Sequence, residues 1–99
     1  MQYVEIETLG YDLLREHRLT DWSLELVNIE PHVGECDFAC KTIRIRTYAV
    51  HALDGKEAED TILHEIAHAL VGPGHDHDEV WQAKAKALGV RIEAVTTCD

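Results

Sequence analysis

The stretch DGKEAEDTILHEIAHALVGPGHDHDEVW, residues 54–81, decides the fold, because it holds a helix together with its start, its stop and a way back. Asp54 stands as N-cap with Glu57 at the third helical position, and Glu59 and Asp60 add negative charge where the helix dipole favours it. Thr61, Ile62, Leu63, Ile66, Ala67 and Leu70 carry the helix on. Gly72-Pro73-Gly74 ends it, since no helix continues through that triplet. Asp78 then caps a last helix in which Trp81, Ala85 and Leu88 recur at i, i+4 and i+7, and Gly89 closes it.

Four of the seven histidines lie in this stretch. His64 and His68 are four apart, so on a helix they project about 40° from each other and can share one tetrahedral metal. Glu65 sits about 60° round from His68, where it flanks such a metal and can take a proton from a water bound to it. Chance supplies H-E-x-x-H in a chain of this composition about one time in twenty, so the string needs its context. That context is a segment that reads independently as a helix and is apolar on most sides, which argues against two surface histidines. Two buried imidazoles are costly alone, and a shared metal satisfies both. The turn at Gly72 can bring His75 or His77 back to the same metal. Asp76 and Glu79 are weaker candidates, because they and Asp78 also serve as cap, solvated loop or outer support.

Upstream, residues 3–18 place Val4, Ile6, Leu9, Leu13, Leu14 and His17 near one helical stripe, weakened but not cancelled by Gly10. A break follows at Thr20-Asp21. Residues 23–30, ended by Pro31, read as a strand, Val33-Gly34 as a turn, and 35–40 and 42–47 as two more strands. Ile43 and Ile45 alternate with Arg44 and Arg46, giving 42–47 one apolar face, with the arginines read as guards of an open sheet edge. Val90–Val95 reads as a short final strand. The order of helix, about three strands, helix and helix defines a small α+β domain with helices packed on one sheet.

Composition bounds what the chain can do. Its 99 residues make one domain, and 45% hydrophobic with 28% charged residues describes a globular chain rather than a disordered one. No apolar run is long enough to span a membrane, and the acidic start MQYVEIETLG lacks an export signal, so a cytoplasmic location is expected. Nineteen acidic against nine basic residues give a net charge of −10, which repels phosphate backbones unless a local basic patch overrides it; the basic residues are scattered, so autonomous nucleic-acid binding is not expected. Cys36, Cys40 and Cys98 are an odd number, which suits reduced thiols. A structural zinc site with His32 fits the usual ligand spacings poorly.

On these residues the chain resembles the SprT-like family of zinc metalloproteases. The resemblance covers about residues 40–88: KTIRIRTYAV, then EDTILHEIAHAL, then a histidine followed four residues later by a large aromatic. His77 and Trp81 have that last spacing and His75 does not, so the resemblance selects His77. It implies a small zincin-like domain, Zn2+ on His64, His68 and His77, Glu65 as general base, and hydrolysis of a protein or peptide substrate. In many H-E-x-x-H enzymes that substrate lies beside the strand before the active-site helix, here 42–47; Arg46 and Tyr48 are oxyanion candidates only by nearness to it. The chain departs from the family pattern in having Asp78 where many members have glycine. It also has a lone Cys98 where many continue into a cysteine-rich zinc ribbon. Residues 1–99 are therefore expected to form a single SprT-like metalloprotease domain, minimal or truncated, with any role on nucleic acid left to a partner or a missing tail. The competing reading is a non-catalytic zinc-binding domain that recognises a peptide, its metal closed off by His75 as a fourth ligand. A toxin- or antitoxin-like interaction module is a weaker third, suggested only by small size and acidity.

Overall fold

Apolar residues three and four apart give the first helix its buried face. In the computed structural model, which describes residues 3–27, 34–46 and 55–90, that helix is α1, Tyr3–Glu16, with Ile6, Leu13 and Leu14 in the core. Gly10 has a packing reason. A β-carbon there would lie 2.3 Å from Leu24 Cδ2, so the missing side chain lets α1 settle against the first strand.

Three strands follow: β1, Ser23–Val27; β2, Gly34–Asp37; and β3, Thr42–Arg46. Their order is β1-β3-β2, with β1 parallel and β2 antiparallel to β3. Two expectations are corrected here. Gly34 is the first residue of β2 rather than part of a turn, and β3 is the central strand rather than an open edge. The alternation in β3 is as expected, with Ile43 and Ile45 buried and Arg44 and Arg46 half-buried on the other face. Arg44 has a different task from guarding an edge. It pairs with Glu25 on β1 at 3.5 Å, and with Glu35 at 3.0 Å and Asp37 at 2.8 Å on β2, so one guanidinium ties all three strands together. Its hydrogen bond holds the Asp37 carboxyl below the ordinary aspartate value.

The outer edge of β1 is covered. The Tyr11 hydroxyl on α1 accepts from the Leu24 N–H at 3.2 Å and donates to the Leu24 carbonyl at 3.3 Å, occupying backbone groups that an added strand would need. No strand among the described residues pairs with the outer edge of β2.

Helix α2, Gly55–Val71, lies against β2 and β3, and is flanked by α1 and by α3, Glu79–Leu88. Every residue from Ile62 to His68 is buried, which makes α2 the central helix its apolar surround indicated. It stops at Val71, and Gly72 and Gly74 follow with φ of +90° and +93°, left-handed values that glycine adopts without strain. Asp78 caps α3 as the sequence indicates, its carboxylate accepting the Trp81 N–H at 3.0 Å, and Gly89 ends it with φ +87°. Trp81 and Ala85 turn inward against α2. None of the described helices is long and apolar enough to cross a membrane. Asp54, the side chain of Glu57, His32, Tyr48, Cys98 and residues 91–95 of the expected last strand lie outside the described residues.

Candidate metal centre

Helix geometry places the first two imidazoles, and the return loop brings the third. His64 and His68 are on successive turns of α2, both buried, with ring centroids 5.3 Å apart. His77 comes back over them, its ring 4.9 Å from that of His64 and 5.0 Å from that of His68. One ligand nitrogen from each of the three falls within 4.8 Å of the other two.

The donor set fits a divalent ion. His64 Nε2 and His77 Nε2 are 3.0 Å apart, and three nitrogens at about 2.0–2.1 Å from a tetrahedral zinc stand roughly 3.3 Å from each other. A shared proton links two rings at most, whereas a metal is approached by all three. Three imidazoles in a mostly buried site suit zinc, and a site built from them alone would leave a fourth position for water.

His75 is engaged elsewhere. Its Nδ1 lies 2.8 Å from Asp78 Oδ2, while Asp78 Oδ1 takes the Trp81 N–H, so His75 belongs to the cap of α3 and not to the metal cluster. The Trp81 N–H and the His75 ring hold the Asp78 carboxyl below the ordinary aspartate range. Asp78, where the resemblance leads one to expect glycine, is the residue that caps α3. The strained position is His77 itself, whose φ is +57° and whose carbonyl accepts the Gln82 side-chain N–H at 2.9 Å.

Glu65 is wholly buried, one residue along α2 from His64 and on the side toward the sheet. Its neighbour there is Gly34, which the sequence pattern alone places in a turn. A β-carbon on Gly34 would lie 3.1 Å from Glu65 Oε2 and 3.2 Å from both the Arg44 carbonyl oxygen and Ile45 Cδ1. The available signal was a glycine opening a strand, which often marks a close approach by another group. Gly34→Ala is expected to keep zinc at one ion per chain yet lower kcat/KM by about tenfold or more, because small displacements of a reacting group are costly. Metal analysis beside steady-state kinetics checks this. A fall in zinc content matching the fall in activity would refute it.

Beside the metal cluster runs an open cleft of about 340 Å³. Cys36 and Phe38 line it from the sheet side, His68 from α2, and Gly72, His75 and Asp76 from the return loop. Cys40 is an exposed free thiol.

Comparison with known proteins agrees with this geometry. The SprT-like family matches residues 9–98 of the chain. Among solved structures, the crystal structure of the metallopeptidase zymogen of Methanocaldococcus jannaschii jannalysin superposes with a TM-score of 0.68 at 19% identity, covering 83% of this chain and 79% of that one. At that identity the likeness is one of fold. No curated protein matches the chain in sequence.

Proposed function

We propose that this chain, which belongs to the SprT-like family and is a zinc metallopeptidase, binds its metal through His64, His68 and His77 and cuts peptide bonds with Glu65 as general base. The observation that carries the assignment is the convergence of three histidine nitrogens within 4.8 Å, beside a buried carboxylate and with His75 turned away. Zinc, when bound, supplies the Lewis acidity that lowers the pKa of a water and polarises the substrate carbonyl. Glu65 accepts a proton from that water at a carboxylate oxygen and returns it to the leaving amine. Burial of Glu65 and the helix around it keeps the carboxylate in one place, so little reorganisation accompanies the transfer.

The substrate strand is assigned to the outer edge of β2. The central position of β3 rules out the strand 42–47 for this role, while Cys36 places β2 along the cleft that reaches His68. An extended peptide pairing with β2 would pass beside the metal cluster, whereas the far edge at Leu24 is taken by Tyr11. The substrate is therefore a polypeptide able to present an extended segment, such as an unfolded protein. An exposed free thiol at Cys40 supports action in a reducing compartment, the cytoplasm.

Chelation tests the reading directly. Treatment with 1,10-phenanthroline should abolish cleavage of reduced, unfolded casein, and about one equivalent of zinc should restore it. A metal-loaded wild type that cleaves none of several unfolded substrates would favour the zinc-binding recognition module instead.

A further inference from the structure

Trp81 is fully buried and touches every ring of the metal cluster. Its ring centroid lies 4.6 Å from those of His64 and His77 and 5.2 Å from that of His68. It stacks on His68 with 27° between the planes and meets His64 and His77 at 55° and 64°. The indole N–H also donates to the His64 carbonyl at 3.3 Å, fixing the ring to the turn of α2 that carries the first ligand.

We propose that Trp81 is a positioning residue, whose indole holds the three imidazoles converged whether or not metal is present, so that zinc affinity depends on it beyond its share in the core. This rests on the reading of His64, His68 and His77 as ligands. A histidine side chain turns about two bonds, and bringing three together costs rotamer freedom and crowds their nitrogens. A flat wall against all three rings restricts that rotation during folding. The incoming ion then meets an ordered site and does not bear the ordering cost itself. The first turn of α3 adds to the same effect. Asp78 anchors the Trp81 backbone, and Gln82 holds the carbonyl of His77 in its left-handed conformation. One helical turn therefore supplies the wall for all three rings and the tether for His77.

The test compares zinc affinity with stability. By competition with a chromogenic chelator, Trp81→Leu is expected to bind zinc about 10–100-fold more weakly than wild type, the range seen for outer supports of metal ligands. The rise in Tm on adding zinc should shrink accordingly, since that rise reports affinity. A residue that only fills the core would lower Tm equally with and without zinc. Trp81→Phe, which keeps a flat ring but loses the N–H, should recover most of the affinity. Unchanged zinc affinity in Trp81→Leu, or an undiminished zinc-dependent rise in Tm, overturns the proposal. Should Trp81→Leu fail to fold, Trp81→Met decides in the same competition assay, since it fills the core without a flat ring, and zinc affinity equal to that of wild type overturns the proposal. A wild type that binds no zinc overturns the ligand assignment as well, whereas tight binding by both wild type and Trp81→Leu overturns this inference alone.

Discussion

Glu65→Gln is expected to retain one zinc per chain and to lose cleavage of an unfolded protein substrate by about 10²–10⁴-fold, the range that a positioned acid–base group contributes. The amide matches the carboxylate in volume, so the buried pocket between α2 and Gly34 stays filled. What disappears is the ability to accept a proton. Because Glu65 is adjacent to His64 but outside the histidine cluster, metal content should be indifferent to the change. Atomic absorption and a cleavage assay on the same preparation separate the two quantities. Cleavage within tenfold of wild type would mean that another group acts as base; parallel loss of zinc would mean that Glu65 supports the metal instead.

The second large effect concerns the return loop. His77→Ala should lose zinc affinity by more than the 10–100-fold attached to outer supports, because it removes one of three ligands. His75→Ala should bind zinc nearly as wild type does. His75 gives up a contact with Asp78, and the cap of α3 persists through Asp78 Oδ1 and the Trp81 N–H. Equilibrium dialysis of the two variants against buffered zinc gives the order, and a reversed order would sink the assignment. The pair also decides between hydrolysis and recognition, since a site with three protein ligands keeps a position for water and one closed by His75 does not.

The sequence is most informative where structure is local. The stop at Gly72-Pro73-Gly74, the Asp78 cap and the inward Trp81 and Ala85 are all set by neighbours within about one turn, and each is where the pattern puts it. The i, i+4 histidines are legible for the same reason. The residues alone leave His75 and His77 open and the family resemblance selects His77 by its distance from Trp81; the structure gives that distance a physical content, for Trp81 packs against His77 while Asp78 engages His75. Strand order was not legible. Alternation in residues 42–46 reports which face is buried and nothing about which strand lies on either side, so Arg44 looked like an edge charge when its partners were Glu25, Glu35 and Asp37 on two other strands. Gly34 and Gly10 escaped for a related reason. Each makes room for a group distant in sequence, Glu65 and Leu24, and a single glycine carries no mark of what approaches it.

The metal cluster and the base depend on different spans of chain. His64, His68 and His77 all come from the hairpin of α2 and α3, and closing that short loop requires no strand. The surroundings of Glu65 are completed only when β2 arrives from the other half of the chain, through a contact of longer range. In refolding of the complete chain, then, zinc capture can precede assembly of the sheet. A refolding chain that has taken up its ion at that stage would still lack both an ordered base and a strand edge for a peptide, so metal content should return before proteolysis does.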